Sequence, residues 1–445
     1  MSAAATPAPG TFASLWESLL PVGRDPRTGG YRRFSWTPAD LDCRAWFEAA
    51  ARHRQLRLDP DRNGNLWAWW DVPVAGEAGR DVGVFPPSRR SAGGSGGSSP
   101  RASLAGEAGR AIATGSHLDS VPDGGAYDGP LGVVSAFAAI DELRAEGFTP
   151  ARPIAVAAFA EEEGARFGVA CLGSRLLTGA IDPDRARALE DGDGITLAAA
   201  MQAAGQDPGP IGRDEDLIGR LGCYVELHIE QGRALADLDA AVGIAEGIWP
   251  HGRWRLDFAG QADHAGTAAL AGRRDPMIPY AATVLAARQA AVERGARATI
   301  GKVTVEPGAA NAVCSAVRAW LDVRAPDGPT LEAMVDQILA VAGQESDANR
   351  VGLTARQESF SPEVEFDLRL ADRLAAALAA RGIEAPSLPT GAGHDAGVLA
   401  ARLPTAMLFV RNPTGVSHSP AEHAGDADCA AGVTALAAVL RDLAA

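Results

Sequence analysis

The polarity pattern divides the chain into three textures. Residues 38–56 carry apolar positions at helical spacing, with Leu41, Trp46 and Ala49 on one stripe and Asp40 and Asp42 near the start, which predicts a helix. The next stretch, LRLDPDRNGNLWAWW, predicts a hairpin turning at Asn63-Gly64. Residues 86–108 have no periodicity and are rich in Gly, Ser, Arg and Pro, the composition of a flexible surface insertion. Beyond it, apolar strands alternate with Ala-rich helices. AIATGSHLDS reads as strand then loop, 130–146 as a helix, PIAVAAFA as a strand buried on both faces, and 168–177 as a helix. That alternation predicts an α/β domain with a mostly parallel sheet and helices on both faces.

Around 240–360 the pattern changes. RWRLDFAG, ATIGKVTV and VRAWLDVR alternate in polarity like half-exposed strands, between helices expected at 275–294 and 329–343. This predicts a smaller α+β lid domain at 245–360, inserted into a catalytic domain built from 1–244 and 361–445. No repeat of 20–50 residues is apparent.

Composition narrows the function. The 445 residues are 47% hydrophobic and 22% charged, enough apolar surface for large cores. The net charge is −15, and Lys302 is the only lysine. Such a field repels phosphate backbones and anionic lipid, so nucleic acid and membranes are not expected partners. Without a GxxxxGK motif there is no P-loop nucleotide site. The five cysteines, Cys43, Cys171, Cys223, Cys314 and Cys429, are scattered and odd in number, as expected for small core residues in a reducing compartment. No signal-type segment or membrane-length apolar run is seen, so a cytoplasmic protein is expected.

Candidate chemistry gathers in loops that follow strands. His117 and Asp119 lie two apart in GSHLDS, so Asp119 is placed to orient the His117 ring. Asp128 follows in GGAYDGP, a glycine-rich turn opening the next helix. Glu161, Glu162 and Glu163 stand at the mouth of PIAVAAFA, where three adjacent carboxylates call for a cation; the plain alternative is an acidic helix start. His228 closes the strand CYVELHI, and His418 lies in GVSHSPAE near the C-terminus. Imidazoles and carboxylates, with no competing thiol, form a set suited to divalent ions. GxSxG is absent in a strand–turn–helix context, which argues against a serine hydrolase.

Taken in order, GSHLDSVPDGGAYDGPLGV, EEEGARFG, ELHIEQG, GQADHAGTA, RRDP, GAGHDAG and GVSHSPAE resemble the dinuclear M20 metallopeptidase family. More narrowly they are similar to its amidase/hydantoinase/carbamoylase branch, which contains N-carbamoyl-L-amino-acid hydrolases, β-ureidopropionases and allantoate amidohydrolases. The resemblance runs from about residue 30 to the C-terminus, interrupted by the insertion. It implies two divalent ions per subunit; Zn²⁺ and Mn²⁺ both suit the His/carboxylate donors, and Co²⁺ or Ni²⁺ are possible in vitro. Asp128 would bridge them, His117 and His228 would complete one site, and Glu163 and His418 the other. Glu162 would be the general base, leaving Glu161 as a solvated neighbour.

The resemblance also implies a homodimer formed through the lid, with hinges near 245 and 360. His264 would reach the partner's site and stabilise the oxyanion. Arg324, Asn311 and Gln231 would bind a small ureido acid, and His394 would line the site without ligating metal. For Arg324 the plain alternative is a lid-surface ion pair with Asp322 or Asp327. His53 and His423 are expected at the surface and His251 in a structural role. The expected activity is hydrolysis of a ureido C–N bond, with an M20-type exopeptidase or N-acyl-amino-acid hydrolase as the alternative. Three positions depart from the branch's usual motif and bear on substrate fit: Asp263 replaces an Asn, and Ala268-Ala269 replace Thr-Pro.

Overall fold

A computed structural model describes residues 11–72 and 109–445. The expected insertion at 86–108 lies outside these residues. The chain divides into two compact units: one of Met1–Glu246, Phe366–Leu388 and Gly393–Ala445, the other of Gly247–Glu365 and Pro389–Ala392.

In the first unit the sheet runs in the order Arg57–Leu58, Leu66–Trp70, Ile154–Phe159, Ala111–His117, Leu221–Ile229, Thr405–Val410, Val242–Ile248. Its four central strands are mutually parallel, and antiparallel strands flank them. The hairpin turns at Asn63-Gly64 as its sequence requires, with the Asp61 carboxylate accepting the Asn63 and Asn65 amides at 2.8 and 2.9 Å.

Alternation separates the two faces of the central strands. Ile154, Val156 and Ala158, with Cys223, Val225, Leu227 and Ile229 and with Ala406, Leu408 and Val410, enter one apolar cluster. The helices Phe12–Leu19, Pro38–His53, Pro130–Ala145, Leu368–Ala379 and Asp426–Ala444 supply most of the rest of that cluster. Burying it stabilises the unit by roughly 25 cal/mol per Å² of apolar surface removed from water. On the opposite face lie the short helices Leu172–Thr178 and Asp395–Leu399, and here the intervening strand positions are free to carry Tyr224, Glu226 and His228. In the helix Pro38–His53 the buried stripe is Cys43, Trp46, Phe47, Ala50 and Ala51, so the expected stripe is rotated and Leu41 is exposed. Phe47 packs edge-on against Phe137, 5.1 Å between ring centroids, and that contact sets the rotation.

The second unit is a βαββαβ arrangement. Its antiparallel sheet runs Gly352–Ser361, His251–Ala259, Ala316–Arg324, Arg297–Glu306, and the helices Met277–Glu293 and Gly328–Ala348 belong to the same unit. Trp254, Leu256 and Phe258 pair with Leu321, Ala319 and Val317, all of them buried.

Candidate active site

Each of the four parallel strands delivers one candidate ligand where it ends. His117 closes Ala111–His117, Glu163 follows Ile154–Phe159, His228 lies one residue from the end of Leu221–Ile229, and His418 follows Thr405–Val410. Because the strands are parallel and adjacent, their C-terminal ends share one edge of the sheet, where open α/β folds place their sites. Asp128 comes from the turn between His117 and the helix Pro130–Ala145. Gly129, at φ +83°, makes room there: a Cβ would lie 2.4 Å from the His117 ring.

These side chains form two triads that share Asp128. His117, Asp128 and His228 each place a ligating atom within 4.8 Å of the others, and so do Asp128, Glu163 and His418. Asp128 Oδ1 lies 3.5 Å from His117 Nε2 and 3.2 Å from His228 Nε2. Asp128 Oδ2 lies 3.3 Å from His418 Nε2, which is 3.6 Å from Glu163 Oε2. Asn412 shapes the His418 loop, accepting the Thr414 and Gly415 amides and donating to the Val416 carbonyl.

Neighbouring groups fix the ring orientations. His228 Nδ1 faces the Ile229 carbonyl at 2.9 Å, which assigns its proton to Nδ1 and leaves the Nε2 lone pair towards Asp128 and the Gly129 amide. His117 Nδ1 meets the Asp119 carbonyl at 3.2 Å, and the buried Nε2 has no hydrogen-bond partner among the described residues. Asp119 does more than its spacing implied. Its carboxylate accepts the amides of Glu162 and Glu163 at 3.2 and 3.1 Å, tying the His117 loop to the acidic loop.

Glu162 stands beside both triads without belonging to either. Its Oε2 is 3.6 Å from His117 Nε2, and its Oε1 accepts the Cys171 thiol at 3.2 Å. Glu161 is not solvated as expected. It is buried, and its Oε1 accepts the Arg166 and Phe167 amides at 2.9 and 2.7 Å, because the chain folds back over it at Gly164. No helix starts at the three glutamates; the next one begins at Leu172.

Crowded carboxylates make the site electrostatically hungry for cations. Burial pushes Glu161 and Glu163 up to about 7, helped by Asp119 beside the first and Asp128 beside the second. Burial also raises Glu162 well above the usual carboxylate range, with Asp395, Glu163 and Asp119 adding to it against His117. Burial opposes charge on His117, yet Glu162, Asp119 and Asp128 hold its pKa well above normal. The orphaned His117 Nε2, the oriented His228 Nε2 and the shared Asp128 are a donor set that fits borderline divalent ions.

Gln231 reaches this centre, donating from Nε2 to Asp128 Oδ2 at 2.7 Å and lying 3.3 Å from Ser417 Oγ. His394 is buried, with its ring centroid 4.5 Å from that of His228. Burial and the nearby His228 hold its pKa well below normal, which keeps the imidazole neutral. Glu226, two residues before His228 on the same face, accepts the Ser116 hydroxyl and the Ala396 amide. Its period-two spacing from His228 was the available signal. Cys171, Ser417 and Glu422 also border the centre and carried no such signal.

The remaining candidates belong to the second unit. His264 and Ala312 pair in a short antiparallel bridge, so His264 and Asn311 are neighbours. His264 Nδ1 accepts the Gly266 and Thr267 amides at 3.0 and 3.1 Å, which places its proton on Nε2 in the exposed part of the loop. Arg273 braces that loop through the Ala265 and Ala268 carbonyls. Arg324 donates to Asp322 at 3.0 Å and to the Gly391 carbonyl at 2.6 Å, so the plain ion pair is formed. His53 and His423 are exposed, and His251 Nδ1 meets the Trp249 carbonyl.

Comparison with known proteins agrees with this architecture. The model of peptidase family M20/M25/M40 matches residues 113–442. The chain is 34% identical over 429 residues to an N-carbamoyl-L-amino acid amidohydrolase of Geobacillus stearothermophilus, covering 95% of this chain and 96% of the relative. It is 32% identical over 441 residues to the allantoate amidohydrolase of Escherichia coli K12, covering 97% and 98%. Among solved structures, hydantoinase/carbamoylase family amidases from Burkholderia multivorans and Burkholderia ambifaria superpose with TM-scores of 0.81 and 0.79 at 26% and 29% identity. Each covers 98% of both chains. With the family model spanning most of its length and two full-length relatives above 30% identity, the chain belongs to peptidase family M20/M25/M40.

Proposed function

We propose that this chain hydrolyses a ureido C–N bond in a small carboxylate-bearing substrate, an N-carbamoyl-L-amino acid or allantoate. The observation that carries the reading is the pair of triads sharing Asp128, with Glu162 standing free beside them. His117, Asp128 and His228 would hold one divalent ion, and Asp128, Glu163 and His418 a second, Zn²⁺ or Mn²⁺ being the natural choices for this donor set. Such ions, when bound, polarise a carbonyl and acidify water.

The chain's own groups then divide the work. Glu162 takes a proton from the attacking water as the new C–O bond forms at the carbamoyl carbon, and passes it to the departing nitrogen as the C–N bond breaks. One water consumed at the ureido group yields ammonia, carbon dioxide and the free amine. Cys171 holds Oε1 of Glu162, which leaves Oε2 for this transfer. Gln231, anchored at Asp128, offers its amide to the ureido group. His264, with its proton on the outward Nε2, is the proposed oxyanion donor, and Asn311 and Arg324 the proposed carboxylate binders.

The test is ammonia release from allantoate, N-carbamoyl-β-alanine and several N-carbamoyl-L-amino acids, with and without chelator. Chelator-sensitive ammonia from one of them is expected, restored by Mn²⁺ or Zn²⁺. Silence across the panel, with cleavage of a dipeptide or N-acyl amino acid instead, would transfer the reading to the exopeptidase alternative.

The second unit supports a homodimer. On its helix Met277–Glu293, Ile278, Leu285 and Val292 are exposed at seven-residue spacing, a stripe that would be costly to leave in water. The strand Arg297–Glu306 forms a sheet edge in the same unit. Sedimentation of the full chain is expected to give a dimer that Leu285→Glu converts to monomer. A wild-type monomer at micromolar concentration would reject the proposal.

A further inference from the structure

Glu422 is buried and four residues beyond His418, and the mechanism above gives it no task. Its Oε1 accepts the backbone amides of Tyr127 and Asp128 at 3.0 and 2.9 Å. Its Oε2 accepts the Ser417 hydroxyl at 2.9 Å. Ser417 Oγ in turn lies 3.3 Å from Asp128 Oδ2. One carboxylate thus joins the turn that presents Asp128 to the loop that presents His418, segments 294 positions apart. Gly125 is shaped for the contact, since a Cβ there would lie 2.4 Å from Glu422 Oε1.

We infer that Glu422 is a positioning residue for the dinuclear centre, acting as a hydrogen-bonded splint on Asp128 and His418. The inference rests on the two-ion reading. A carboxylate suits the task because its two oxygens offer about four acceptor sites, enough for both amides and the hydroxyl. Through its amide hydrogen bonds it sets the backbone from which Asp128 projects. Through Ser417 it fixes the residue preceding His418, and Asp128 belongs to both triads. Partners that orient ligands in this way change metal affinity by about 10–100-fold when removed.

The experiment is equilibrium dialysis of Mn²⁺ alone against metal-free wild-type, Glu422→Ala, Glu422→Gln and Ser417→Ala proteins, with thermal unfolding of each metal-free protein alongside. Glu422→Ala is expected to raise the Mn²⁺ dissociation constant about 10–100-fold, with cooperative unfolding preserved. Glu422→Gln is expected to stay within about threefold of wild type, because its amide oxygen keeps both backbone amides and its NH₂ donates to Ser417. If Glu422→Ala fails to fold, Ser417→Ala decides, with an expected loss of about threefold to tenfold. Wild-type affinity in whichever of these two variants is read overturns the splint. A loss in Glu422→Gln as large as in Glu422→Ala also overturns it, since charge and not hydrogen bonding would then be at work. A wild-type protein that binds no Mn²⁺, and no Zn²⁺ in a parallel dialysis, overturns the two-ion reading itself and the splint with it.

Discussion

Glu162→Gln is expected to lower kcat by about 10³-fold while metal binding stays at the wild-type level. The substitution keeps the shape of the side chain and removes its charge and its ability to take up a proton. The neighbours argue for a clean result. Cys171 can still donate to the amide oxygen, and the backbone amide of residue 162 still bonds to Asp119. Neither triad includes Glu162, so the ligand atoms of both should be undisturbed. Single-turnover rates at saturating metal, paired with metal content per chain, provide the check. A near-normal rate would place the base elsewhere, and loss of metal would make Glu162 a ligand.

Asp128→Ala should be worse, because it fails at an earlier step. Asp128 is the one residue common to both triads, so its removal takes a donor from each at once. Its carboxylate is also the counter-charge to three imidazoles: burial opposes its ionisation, yet the adjacent His117, His228 and His418 rings pull its pKa well below the usual range. Without it the three imidazoles lose the one carboxylate they share, and the nearest remaining ones, Glu162 and Glu163, stand 3.6 Å from His117 and His418, which makes a poorer cradle for a cation. The variant is expected to emerge from dialysis without divalent metal. Its turnover should fall by a factor on the order of 10⁴, since several kcal/mol of transition-state stabilisation go with the ions. His418→Ala gives the contrast. It removes one donor from one triad only and should keep part of the metal. Wild-type metal content in Asp128→Ala would exclude a shared bridging role.

The sequence announced the site better than it announced the surroundings. His117, Asp128, Glu163, His228 and His418 are each ordinary residues, but all except Asp128, which lies in the turn opening a helix, stand at or beyond the end of an apolar run short enough to be a strand, and parallel strands put such positions on one edge. The second unit's inner strands were equally legible, because Trp254, Leu256 and Phe258 alternate with polar neighbours. Its fourth strand, Gly352–Ser361, is not legible in the sequence, because it is an exposed edge with no apolar period. Residues 389–392, assigned to the second unit from within the catalytic half of the sequence, left no trace in composition either.

Local pattern therefore determined most of the strands and long helices, the change of texture between the two units and the residue types offered for chemistry, because periodicity and propensity act over neighbours in the chain. Tertiary structure alone decided the rest. It turned the helix Pro38–His53 to bury Phe47 instead of Leu41, closed the chain over Glu161, and set Cys171 against Glu162. It brought Glu422 to the amide of Asp128 across 294 positions. Such partnerships are made by hydrogen bonds between buried groups distant in sequence, and a buried carboxylate takes whichever donors the packed chain places around it.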